Sequence, residues 1–171
     1  LGVDISVTSP GINIQQEKAL TLVRYRFLLI IEPDHRFPEN FISELKKEFL
    51  NSEFDGLQAT LSCSEKNNFW ERGIASFYDI HQRRKGRKEI IGGPAIYLSE
   101  IHNTRLKHGS NSFSGDTAKA EQASKAGLRL GLGETVAVQK QSICFSIFYK
   151  KYFNYGIGDY FFYKDMKDSW T

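Results

Sequence analysis

Two carboxylates stand two positions apart in Glu32-Pro33-Asp34, directly after Phe27-Leu28-Leu29-Ile30-Ile31, the longest wholly apolar run of the chain. Successive strand residues point to opposite faces, so side chains at i and i+2 can converge on one ion where a strand ends. Hard divalent cations take such oxygens, and they also take oxygens from a diphosphate. His35 follows at once. A second chemical feature is the run Arg83-Arg84-Lys85-Gly86-Arg87-Lys88. Its five cations read either as a solvated loop after a helix or as a clamp for a lipid phosphate, a diphosphate or an anionic membrane. The net charge is +3 and the pI about 8.8, and without that run the balance would be negative. The basicity is therefore local, which argues against a broad nucleic-acid-binding face. Cys63 and Cys144 sit among apolar neighbours and are expected as reduced core thiols. Two cysteines and four scattered histidines make neither a disulfide framework nor a structural zinc site.

The elements that would position these groups can be read from pattern. The chain has 171 residues, of which 40% are hydrophobic and 25% charged, which suits a single domain with a real core. Val3 to Val7 reads as a short strand and Ile14 to Leu22 as a short helix. Tyr25 to Ile31 reads as a strand buried on both faces. Pro38 is placed to open a helix in which Phe41, Ile42, Leu45 and Phe49 recur and which Asn51 ends. Leu57, Ala59, Leu61 and Cys63 alternate as a strand. Trp70, Ile74, Phe77, Tyr78 and His81 share one helical face. Residues 90–98 are extended and glycine-punctuated. Asp116 to Ala126 reads as a helix capped by Asp116 and stopped by Gly127. Leu128, Leu130, Leu132, Val136 and Val138 follow a strand pattern. Strands and helices alternate, so the fold class is α/β. Ligand sites in such sheets gather at the carboxyl ends of the strands, where Glu32 and Asp34 would lie.

Three segments in order carry a family resemblance. Phe27 to Ile42 resembles the metal-binding region of family 2 glycosyltransferases: an apolar strand, an Asp-x-Asp triplet, a loop with proline, then a helix. Gly92-Gly93-Pro94-Ala95-Ile96-Tyr97-Leu98 resembles the glycine-containing segment before the acceptor region. Ser114-Gly115-Asp116-Thr117, with Lys125-Ala126-Gly127-Leu128-Arg129-Leu130-Gly131 beyond it, resembles the family's later acidic motif. The resemblance spans roughly residues 3–140. It implies a GT-A fold, a Rossmann-like mixed sheet flanked by helices, and metal-dependent sugar transfer with inversion from a nucleotide-sugar to an acceptor hydroxyl. It implies that Asp34, with Glu32, holds Mg²⁺ or Mn²⁺ on the donor diphosphate. Gly92, Gly93 and Pro94 would border the acceptor, a sugar or a lipid-linked one. Asp116 would be the catalytic base, its other reading being a plain helix cap. Glu32 replaces the family's first Asp, and Gly115 its usual Glu. No Gln-x-x-Arg-Trp occurs, so a processive synthase is not expected. The family's first two, base-reading strands have no counterpart. The chain therefore reads as a partial domain, the later part of a longer enzyme and inactive by itself. The alternative is a non-catalytic binding module on a degenerate core.

The expected division is a core over residues 1–140 and an aromatic-rich helical segment over 141–171. Ten of the 23 aromatic residues lie between Phe145 and Tyr163. Ser142, Ser146, Lys150 and Asn154 form a narrow polar stripe on a helix that Gly156 and Gly158 are expected to break. That wide apolar face would pack on this protein, or lie in a membrane interface while Lys150, Lys151 and the Arg83–Lys88 run meet anionic lipid. No apolar run approaches the roughly 20 residues of a spanning helix. The expected location is the cytoplasm, with peripheral contact on the inner face of the membrane.

Overall fold

A computed structural model describes residues 18–19, 21–63, 66–81, 86–87, 92–99, 123–140 and 144–167. The elements are β1 (Phe27–Ile30), β2 (His35–Arg36), α1 (Phe41–Asn51), β3 (Gly56–Cys63), α2 (Phe69–His81), β4 (Gly86–Arg87), β5 (Ala95–Leu98), β6 (Leu130–Gln139) and α3 (Phe145–Lys167). They form an α/β structure around one mixed six-stranded sheet in the order β1-β5-β3-β6-β2, with β4 also paired to β6. The expected strand over Val3–Val7 lies outside the described residues. So does most of the Asp116–Ala126 helix, of which Ala123, Ser124 and Lys125 are helical. Gly127 ends that helix at φ +71°, a conformation glycine adopts without a Cβ clash.

The centre of the sheet is the parallel pair β3–β6, in register from Gly56↔Leu130 to Cys63↔Gln139. The register shifts between Gln58 and Thr60, leaving Gly133, Glu134 and Thr135 as a bulge on β6. Glu48 of α1 holds that bulge. Its carboxylate accepts from the Glu134 N–H, from the Thr135 N–H at 3.0 Å and from the Thr135 hydroxyl at 2.7 Å.

Alternation sorts the strand residues into two cores. On one face Phe41, Leu45 and Phe49 of α1 pack with Leu57, Ala59, Leu61, Ile96 and Ala137. On the other, Ala95, Tyr97, Ala123, Leu128 and Leu130 form a second cluster. The helical period of α1 is as expected except at Ile42, which is 64% exposed at the flank of the stripe. β1 differs from expectation. It pairs with β5 alone among the described residues and is half-buried along its length. Its one strand neighbour leaves it at an edge of the sheet, and both faces are covered only in part, Phe27 and Leu29 packing against the α1-side cluster and Ile30 against the other.

α2 also differs. Its buried positions are Glu71, Ile74 and Ala75, with Tyr78 against the α1-side cluster. Phe77, expected on this face, is half exposed, and Trp70 turns toward α3. The Glu71 carboxylate accepts from the Asn67 N–H at 2.8 Å, and the Asn68 side chain accepts from the Glu71 N–H at 3.0 Å. This reciprocal pairing satisfies the first turn.

α3 runs for 23 residues, straight through the two glycines expected to break it. A helical glycine costs about 1 kcal/mol. Aromatic neighbours one turn apart oppose that cost, with ring centroids 4.4 Å apart for Phe148–Tyr152 and 6.0 Å for Tyr149–Phe153. Trp70 of α2 receives Phe145 and Phe148 at 5.3 and 4.8 Å. Cys144, expected in the core, is exposed at the start of α3, and Cys63 is only partly buried. The short element β4 pairs Arg87 with Gly131, so part of the basic run is sheet and not loop.

Candidate metal centre

The directions of β1, β3 and β6 agree, because β5 runs antiparallel to both β1 and β3. Their carboxyl ends therefore share one edge of the sheet. The chain leaves β1 at Ile31 and crosses that edge, and it pairs again at β2, where His35↔Gln139 and Arg36↔Val138 are in register. This crossing delivers Glu32, Asp34 and His35 to one place. One donor atom from each lies within 4.8 Å of the others.

Each side chain is held differently. Asp34 is anchored at both ends. Its carbonyl accepts from the Lys140 N–H at 2.8 Å, and its Oδ2 accepts from Gln139 Nε2 at 2.9 Å. Its Oδ1 has no hydrogen-bond partner and faces His35 Nε2 at 3.9 Å. The His35 N–H donates to the Glu32 carbonyl at 3.2 Å. The His35 side chain is fully buried, and neither ring nitrogen has a hydrogen-bond partner. Leaving one buried polar atom without a partner costs about 1–3 kcal/mol. Asp34 Oδ1 and the two nitrogens of His35 are such atoms, and one pair of them, Oδ1 and Nε2, face each other. Burial pushes the His35 pKa below its usual value, and the neighbouring Asp34 charge opposes this only in part. That direction favours the neutral imidazole, which has a lone pair for a ligand.

The donor set fits a divalent cation. The two carboxylates suit hard ions such as Mg²⁺ and Mn²⁺, and the imidazole adds a nitrogen that Mg²⁺ takes up least readily. Ligand atoms on opposite sides of one shell are about 4.2 Å apart for Mg²⁺ and up to about 5.2 Å for Ca²⁺, a range that covers the spacing here.

The glycine segment comes to the same edge. A Cβ on Gly93 would stand 3.4 Å from Glu32 Cγ and Oε1, so the segment passes close behind that carboxylate. The Gly92 N–H donates to Gln58 Oε1 at 3.1 Å, and the Pro94 carbonyl accepts from the Ala59 N–H at 2.9 Å. The Gly93–Pro94 peptide is cis. Of the residues predicted from sequence, the structure thus brings together Glu32, Asp34 and Gly92–Pro94. Asp116, Arg83, Arg84, Lys85 and Lys88 lie outside the described residues. Arg87 pairs at the opposite end of β6, so its backbone is remote from Glu32, Asp34 and His35 and a shared phosphate clamp there has no support from it. Sequence reasoning noted His35 only as a neighbour and did not single out Gln139. A two-residue strand leaves no period to read, and the bulge at Gly133–Thr135 decides where Gln139 falls against β3.

Comparison with known proteins identifies no family for the chain. No family model matches it, and no curated protein matches. Among solved structures it is similar to one described as the crystal structure of a mycobacterial protein, with a TM-score of 0.48 and 10% identity over 82% of this chain. The chain spans about half of that protein's length, 47%.

Proposed function

We propose that the chain carries the metal-binding part of a nucleotide-sugar transferase with a GT-A-like core, acting with inversion on an acceptor hydroxyl. The observation that carries the reading is the buried imidazole of His35, without hydrogen-bond partners, facing Asp34 at the carboxyl edge of the sheet. The family 2 resemblance supplies the reaction class. In that reading Glu32, Asp34 and His35 hold the cation, and Gln139 fixes which carboxylate oxygen of Asp34 is presented. A bound Mn²⁺ or Mg²⁺ would neutralise charge on the departing diphosphate. The Gly92–Pro94 segment, which passes close behind Glu32 at Gly93, would border the acceptor. Asp116 would remove the acceptor's proton from the side opposite the leaving group.

Isothermal calorimetry with a nucleoside diphosphate, in the presence and absence of Mn²⁺, tests the cation's part. Binding is expected to need the metal and to disappear in Asp34→Ala; equal binding in both proteins overturns the assignment. Asp116→Asn keeps a capping oxygen and removes basicity. In an active enzyme containing this chain it is expected to lower turnover at least about 100-fold with the fold intact. Unchanged turnover would leave Asp116 only its cap.

A further inference from the structure

The outer side of α3 presents apolar surface in a regular line. Tyr149, Phe153, Ile157 and Tyr160 follow one another at helical spacing and are 61, 56, 41 and 63% exposed. The adjoining side of the helix is the one that Phe145, Phe148 and Tyr152 commit to Trp70 and its own turns, with Phe145 touching Tyr149 where the two sides meet. Lys150 and Lys164, both exposed, border the line at its two ends. Across α3 the sequence has four lysines against two aspartates.

We infer that this face of α3 lies on an anionic lipid surface, its rings at the headgroup level and its lysines on lipid phosphates. Three observations select that occupant. The stripe is largely aromatic, and a tyrosine places its ring in the acyl boundary while its hydroxyl stays wet. The flanking lysines have long stems that lie along apolar surface and lift the ammonium to the phosphates. No helix among the described residues is long and apolar enough to cross a membrane, so the helix lies on the surface. A second copy fits less well. An antiparallel pairing centred on Ile157 sets Lys150 opposite Lys164, and a parallel one sets each lysine opposite itself. Either brings like charges together, whereas an anionic surface neutralises them. The inference is independent of the metal centre.

Flotation with phosphatidylcholine vesicles, and with equimolar phosphatidylcholine–phosphatidylglycerol vesicles, tests it. Binding is expected only to the anionic vesicles, and high salt should release it. Lys150→Glu with Lys164→Glu, and separately Tyr149→Ser with Phe153→Ser, should each weaken binding at least about tenfold. Circular dichroism of both variants checks that the helix remains. Absence of binding to anionic vesicles, or binding that survives the Tyr149/Phe153 change, overturns the inference. So does a dimer by light scattering that the same change dissolves, because the face would then belong to a second copy.

Discussion

The carboxyl edge of the sheet and the outer helical layer break the usual sorting of residues in opposite senses. At the edge, Asp34 Oδ1 and both nitrogens of His35 are buried without hydrogen-bond partners. In the outer layer, Tyr149 and Phe153 are more than half exposed. Buried polar groups are normally satisfied, and large exposed apolar patches normally mark contact surfaces. The first departure calls for an occupant that is small and charged. The second calls for one that is broad and apolar with anionic groups at its rim. The two regions also rest on the core differently. His35 sits on a strand bonded to β6, while α3 packs on the outer side of α2, where Trp70 meets Phe145 and Phe148.

The largest expected effect sharpens that last difference. Leu45 is 1% exposed at the centre of the core beneath the edge, and Leu45→Ala should cost about 3 kcal/mol. Denaturant unfolding measures it, and a loss below about 1 kcal/mol would mean that α1 does not anchor the sheet as described. The next effect has the opposite sign. His35→Leu replaces two unsatisfied buried nitrogens with an apolar side chain. In EDTA it should stabilise the protein by about 1–2 kcal/mol, and it should weaken Mn²⁺ binding, read by electron paramagnetic resonance, about tenfold or more. Destabilisation without metal would show that the ring is satisfied in solution, and the comparison between the two regions would lose its first term.

Legibility in the sequence followed the length of each pattern. The burial of Phe41, Leu45 and Phe49, the alternation through Leu57, Ala59 and Leu61, and the stop at Gly127 were all readable, because each expresses a period or a backbone demand over several residues. Glu32 and Asp34 were readable for the same reason, since a long apolar run points to the strand end they occupy. What sequence could not supply was contact between distant segments. Gly93 reaches Glu32 through the β1–β5 pairing, and Gln139 reaches Asp34 through β2–β6. Neither register leaves a local signal. The expected break at Gly156 failed because intrinsic propensity was outweighed by ring contacts between successive turns and by Trp70.

The two cysteines report on the same two regions. Cys63 ends β3 near the edge and is partly buried, whereas Cys144 is exposed. The Ser146 oxygen 3.1 Å from Cys144 Sγ and the Ile147 N–H bring its thiol below the ordinary cysteine value. Thiolate is the reactive form, so Cys144 should react with a disulfide reagent at least about tenfold faster than Cys63. Mass spectrometry of partly labelled protein distinguishes them. Equal rates would place the start of α3 as deep as the end of β3.

The smallest expected effect on stability is the one that most directly separates the two regions. Phe153 contributes a stacked contact with Tyr149 on the surface of α3, and its side chain is 56% exposed. Serine and phenylalanine have similar helix propensities, and a ring pair one turn apart contributes about 0.5 kcal/mol. Phe153→Ser should therefore change unfolding free energy by about 0.5 kcal/mol at most, several times less than Leu45→Ala. If stability were what kept this residue aromatic, the cost would approach that of a core truncation, and the outer face would be a concealed core. A small cost leaves the ring without a folding role large enough to explain it. The exposed aromatic line of α3 then stands on the same footing as the unsatisfied imidazole at the sheet edge: each is a local departure from what folding alone would select, and each has an occupant proposed for it.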